Sequence, residues 1–304
     1  SVVGVDFDAA AVEAQHGLAG VNGALDALVE RGTLTREPGG TLAFVSPLLR
    51  EVAYETLLFS DRRKRHLAVA DALELSERTP NWEHVAAHFE LAELPLRAAD
   101  AWRRAARHAL DRFAKPEAAR ALEKALVLGN WDVAVSTDLS ADLGITRYYL
   151  GNMDEARSLL REVTELSDSP EVQARALRYL ARIADRTGNA IEQRDCLERA
   201  QLLSGSLSSA EAVHLAAERA LAALRRGEND VARELLESIV VTGGALPSAL
   251  TKAWASVSLA LSIHKRKVGD LEGARDAAYS AVSAFESLNY AGGVATSLLT
   301  LSIV

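Results

Sequence analysis

Cysteine is almost absent from this sequence: Cys196 stands alone among 304 residues. A single thiol excludes an intrachain disulfide framework and suits a reducing compartment, so the cytoplasm is the expected location. Aromatic residues make up 5% of the chain and proline occurs 7 times, against plentiful alanine and leucine. That balance favours helices over strands. Long apolar runs are missing too. The segment 249–263 carries Lys252 and several serines, and falls short of the roughly 20 apolar residues that cross a bilayer. Ser1-Val2-Val3 has neither the basic start nor the apolar core of a signal peptide. No G-x-x-x-x-G-K-[ST] occurs, so a Walker-type phosphate loop is lacking. The spacing of Gly17, Gly20 and Gly23 does not match a dinucleotide fingerprint, and a loop between helices explains it. A net charge of −8 argues against general nucleic-acid binding. Nothing here predicts an enzyme.

What the sequence does have is a recurring phrase. Tyr148-Tyr149-Leu150-Gly151-Asn152 reads as a helix end and a turn, followed by a second helix whose Ala156 and Leu160 face back onto the first. Gly151, Gly188, Gly227 and Gly269 follow one another at intervals of 37, 39 and 42 residues. Each precedes by five residues a matching position: Ala156, Gln193, Ala232, Ala274. Twelve residues before those lie Gly144, Ala181, Ala220 and Ser262, all small, as a tight antiparallel hairpin requires. Glycine tolerates the left-handed conformation that ends a helix, and Asn152, Asn189 and Asp270 suit the N-cap of the next one. An earlier unit pairs Trp102, Ala106 and Ala109 with Ala118, Leu122 and Ala125. It has Phe113-Ala114-Lys115-Pro116 where the others have glycine. One hairpin cannot bury its apolar stripe alone, so the units must stack.

Residues 1–60 differ. Short helices are expected over Phe7–Gln15 and Val21–Arg31, then a β-hairpin around Pro38-Gly39-Gly40 flanked by alternating runs. Ser46-Pro47 caps and starts another helix. This is a winged-helix pattern. The would-be reading helix offers Asn22, Asp26, Glu30 and Arg31, which is poor groove chemistry, so direct contact with DNA is not expected.

Two resemblances follow from these residues. The helix pairs resemble tetratricopeptide repeats. The order of phrases from Val2 to Asp8, Leu25 to Leu34 and Phe44 to Leu58, then Asp61 to Leu67, Ala72 to Glu74 and Val85 to Phe89, resembles the region after the core of large bacterial signal-transduction ATPases of the STAND/AAA type. The expected fold is therefore all-α: a winged-helix-like domain with one β-hairpin (1–60), a helical junction (61–95), and a right-handed superhelix of tetratricopeptide-like hairpins (96–304). Five units are complete and a sixth is interrupted at Val304, so a piece of a longer protein is expected. The resemblance implies a non-catalytic regulatory, interaction or sensing module. ATP and magnesium would belong to an ATPase core outside these residues, with no cofactor in the chain itself. Such ATPases carry a class III adenylate or guanylate cyclase, or a LuxR-type transcription regulator. The phrase from Arg50 to Leu58 is more like the cyclase-linked branch. Implied partners are the protein's own ATPase and effector domains and a protein or peptide, an acidic one included, with no membrane.

The candidate site follows from spacing. Arg175, Arg178, Arg182 and Arg186 form one stripe on a first helix, with Leu177, Leu180, Ala181 and Ala184 opposite. Tyr148 and Tyr149 lie one unit earlier. The stripe reads either as a solvated amphipathic face, the plainer account, or as a concave-face site that holds an acidic partner through forked hydrogen bonds. In the second case Arg178 and Arg182 are exposed and free of carboxylates on their own helix. Arg62-Arg63-Lys64-Arg65 is expected to be a solvated helix start paired with Asp61, Asp71 or Glu55, with a nucleotide phosphate as the other reading. His84 and His88 share a helix face, but without a third ligand they read as packing rather than metal. Cys196 reads as a small buried residue.

Overall fold

Helices run one after another through nearly all of the described chain, joined by short turns whose chemistry repeats. The structure is a computed structural model; it describes residues 2, 6–7, 12, 21–38, 40–76, 80–228, 230–232, 234–235, 271–287 and 291–303. Two compact units divide at Leu150/Gly151.

The first unit opens with a three-stranded antiparallel sheet in the order β1-β3-β2, formed by β1 (Asp6–Phe7), β2 (Leu34–Arg36) and β3 (Leu42–Phe44). β2 and β3 are the expected hairpin, closed where Glu37 N donates to Thr41 O at 2.8 Å. β1 is an addition: Asp6 and Phe7 pair with Ala43 and Leu42. Phe7 therefore does not start the short helix expected there; most of that helix lies outside the described residues. Leu34 and Leu42 point inward and meet Leu25 of α1 (Asn22–Glu30), with Val12, Val21, Val29 and Phe44 around them. α2 (Pro47–Glu55) begins as its sequence dictates. Ser46 is extended, its hydroxyl accepts from Leu48 N at 3.2 Å, and Pro47 fills the first turn. The unit continues through α3 (Phe59–Ser76), α4 (Trp82–Leu91), α5 (Pro95–Asp111), α6 (Lys115–Leu128) and α7 (Val133–Tyr149). Each of α3 to α6 packs on the helix that follows it.

Small residues make that packing close. Ala98, Ala101, Trp102, Ala106 and Ala109 of α5 are buried against α6, whose Ala118, Leu122 and Ala125 are likewise buried. The turn between them has no glycine, so Phe113 takes the left-handed conformation itself, at φ 58°. Ala114 N donates to Ala109 O at 2.9 Å, closing the helix end. Glu93 does the same between α4 and α5, at φ 56°. After α6 a different device is used. The indole of Trp131 donates to Ala125 O at 2.8 Å and lies where a side chain at Gly129 would sit, 2.0 Å from an added Cβ.

The second unit contains α8 (Met153–Leu166), α9 (Pro170–Arg186), α10 (Ala190–Leu202), a 3-10 turn (Ser204–Ser206), α11 (Ser209–Arg226), α12 (Leu271–Ser287) and α13 (Ala291–Ile303). Gly151, Gly188 and Gly227 all sit at helix ends with positive φ, at 87°, 73° and 78°. After Gly188, Asn189 N returns to Ala184 O at 2.8 Å; after Gly227, Glu228 N returns to Ala223 O at 3.0 Å. Gly269 lies outside the described residues. Ala156, Ala181, Ala220, Ala232 and Ala274 are all buried, as the hairpin register requires. Gln193 occupies the same register where its neighbours have alanine, and its amide donates to Asp185 at 3.1 Å. In the last pair Gly293 admits the ring of Phe285, which lies 2.3 Å from where a Cβ would be.

Candidate binding surface

The basic run on α3 is a clamp. Arg62 donates to the carbonyls of Leu57 (3.0 Å) and Glu55 (2.8 Å), the free C-terminal end of α2, and stacks over the Tyr54 ring. Arg63 reaches Ala92 O (3.4 Å) and pairs with Glu93 (2.9 Å), the residue held in the left-handed turn. Arg62 and Arg63 thus reach two neighbouring helix ends, and not the Asp61, Asp71 or Glu55 carboxylates expected for the run. The clamp follows from local charge: carbonyls left unpaired at a helix C-terminus attract cations.

Behind the clamp lies a part-buried relay. Tyr54 Oη is 2.9 Å from His66 Nε2, and His66 Nδ1 is 2.9 Å from His88 Nδ1. Of two imidazoles sharing one proton between facing nitrogens, the accepting one must be uncharged. Burial pushes both down to about 4, helped at His88 by the neighbouring His66 and His84. The partner of His88 is therefore His66 of α3, while His84 stays exposed. Among the described residues no group of three His, Cys, Asp or Glu side chains is placed to hold a metal. Cys196 is buried, and burial pushes its thiol up to about 11, far from a thiolate nucleophile.

The arginine stripe on α9 is a latch to α11. Arg178 is 4% exposed and grips Glu211 with two bonds, Nε–Oε1 at 2.6 Å and Nη2–Oε2 at 3.2 Å. Arg182, half-buried, meets Glu218 at 2.6 Å. The same two helices are joined by Glu171 accepting from Ser208 N (2.9 Å) and by Arg225 pairing with Asp185 (3.1 Å). Tyr179 lies beside both guanidiniums, and His214 sits half-buried near them, pushed down to about 4 by burial and then by their charges. The expectation that Arg178 and Arg182 are exposed is overturned. The physical reason is a neighbour one repeat on: carboxylates of the next first helix reach back and neutralise the like charges that their own helix leaves in a row. Arg175 is half-buried and Arg186 exposed, and Tyr148 in the first unit is buried with its ring against Tyr149. Within the second unit Arg178 and Arg182, engaged with α11, do not form an open stripe with Arg175 and Arg186.

An open cleft does occur in the second unit, between α10 and α11, with a volume of about 580 Å³. Leu197 and Ala223 form its buried floor, and Val231 and Leu235 one apolar edge. Arg194, Arg219 and Arg226 stand around it with Glu198, Gln201 and Glu228. Arg219 donates to the amide oxygen of Gln201 at 2.7 Å. Arg226 holds Glu228 with two bonds at 2.9 and 2.8 Å, which keeps that carboxyl below its usual range, aided by Arg226 and Arg194 as charges. No spacing rule brings these residues together. Arg194 belongs to a second helix, Arg219 and Arg226 to the following first helix; only the stacking of two pairs makes them neighbours.

The fold has known counterparts. A signal-transduction ATPase with numerous domains (STAND) with a tetratricopeptide repeat sensor, from Pyrococcus horikoshii, superposes on 97% of this chain with a TM-score of 0.61 and 12% identity. The Cut9–Hcn1 hetero-tetramer of the APC/C superposes on 92% with a TM-score of 0.51 and 14% identity. This chain spans 44% and 55% of those two chains. No protein-family model matches the sequence, and no curated protein matches it. The fold is that of tetratricopeptide-like helix pairs.

Proposed function

We infer that this chain is a non-catalytic interaction or sensing module of a larger signal-transduction ATPase. The observation that carries the reading is the likeness over 97% of the chain to a STAND protein with a tetratricopeptide repeat sensor, in which the equivalent part is 44% of the whole. The succession of phrases from Val2 to Phe89 supports it independently. In this reading the small sheet domain and the clamp around α3 connect the repeats to an ATPase core, where ATP and magnesium bind. The likeness of Arg50 to Leu58 to the cyclase-linked branch favours an adenylate or guanylate cyclase as effector; the alternative is the sensor region of a LuxR-type regulator. No described helix is long and apolar enough to cross a membrane, and the cytoplasm is the proposed location.

The test uses the full-length protein. Its ATP hydrolysis is measured with and without residues 96–304. A change of fivefold or more in rate is expected, in either direction; identical rates, with both proteins folded, would sink the regulatory role.

A further inference from the structure

The cleft between α10 and α11 combines features that packing alone does not call for. Its floor is apolar, through Leu197 and Ala223, yet among the described residues its walls carry three guanidiniums, Arg194, Arg219 and Arg226, against the two carboxylates Glu198 and Glu228. Arg226 and Glu228 neutralise each other. Arg219 is half-buried, and its recorded partner is the uncharged amide of Gln201; the carboxylate beside it in sequence, Glu218, is committed to Arg182. Arg194 is exposed, with no hydrogen-bonded carboxylate among the described residues, and is felt at Glu228 only through its charge. Among the described lining residues Glu198 is the other carboxylate. The wall is therefore positive in a chain whose net charge is −8. A half-buried guanidinium held by a neutral amide keeps donors free for an anion, and guanidinium forks match carboxylates and phosphates. The volume of about 580 Å³ lies within the range of roughly 300–1,000 Å³ in which small ligands are bound.

We propose that this cleft binds an amphipathic anion, with its acidic headgroup on Arg219 and Arg194 and its apolar body along Leu197, Ala223, Val231 and Leu235. Cations are disfavoured by the excess guanidinium. Among the described lining residues no aromatic ring offers a surface on which a nucleotide base would stack. The proposal deepens the sensing role inferred above and rests on that reading for its purpose; binding itself is measured without it.

The purified chain is titrated by calorimetry with octanoate and octyl phosphate below their micelle concentrations, and with octanol and octylamine as controls. Saturable one-to-one binding of at least one anion is expected, with octanol and octylamine tenfold weaker or worse. Which anion binds more tightly assigns the headgroup as carboxylate or phosphate. Arg219→Gln should weaken the preferred anion about tenfold, a loss of roughly 1.4 kcal/mol, with unchanged circular dichroism. Arg194→Gln, at an exposed position, repeats the test should the first variant be unstable. Absence of saturable binding, equal affinity for octanol, or full affinity in folded variants would overturn the assignment. None of these outcomes bears on whether residues 96–304 regulate an ATPase, which the deletion experiment decides separately.

Discussion

Arg178 and Glu211 are buried together, at 4% and 9% exposure, with two bonds between them. Such a pair contributes little net stability, because both charges lose water, but removing one partner leaves the other stranded. Breaking a buried pair typically costs about 3–5 kcal/mol, while replacing both partners by apolar groups is often neutral. Glu211→Ala is therefore expected to destabilise the second unit by several kcal/mol in urea unfolding, and Arg178→Met with Glu211→Leu to recover most of the loss. If Glu211→Ala unfolds like wild type, the pair is not the latch described here. The stripe itself was legible from arginine spacing; its partners were not. Glu211 and Glu218 lie 33 and 36 residues beyond Arg178 and Arg182, close to one repeat, and only alignment of one unit on the next would have exposed them. Phe113 and Glu93 hid in the same way. A left-handed turn is easy to read at glycine, which lacks a Cβ, and hard to read where tertiary contacts force another residue into it.

At the scale of elements, α2, α3 and α4 are joined by one polar chain, Tyr54 to His66 to His88, together with the Arg62 and Arg63 clamps. Helix existence, the hairpin and the glycine turns were predictable because each is set by a few neighbouring residues. This junction was not, since it depends on three helices meeting. Its chemistry fixes a pH dependence. Both histidines sit near 4 in the folded protein and near 6.5 when unfolded. Between those values the unfolded chain binds more protons, so stability falls as pH falls. The contribution is fully present above about pH 6.5 and lost progressively down to about pH 4. At about 1.4 kcal/mol per pKa unit, and allowing for partial solvent access, the loss is on the order of 1–3 kcal/mol. Urea unfolding between pH 7.5 and 4.5 should show it, with a shallower slope in His66→Phe with His88→Leu. Equal slopes in both proteins would show that the relay does not titrate on unfolding.

For the whole molecule, the tetratricopeptide-like helix pairs and the likeness to a STAND protein with a repeat sensor support the proposed reading of a module that binds rather than reacts. Its chemistry would then lie in an attached core. Incubating the purified chain with ATP or GTP and magnesium, and measuring released phosphate and cyclic nucleotide, tests this most directly. The expected result is no product above a protein-free control. Turnover that persists through stringent purification and scales with the amount of this chain would place the catalysis here and contradict the module reading.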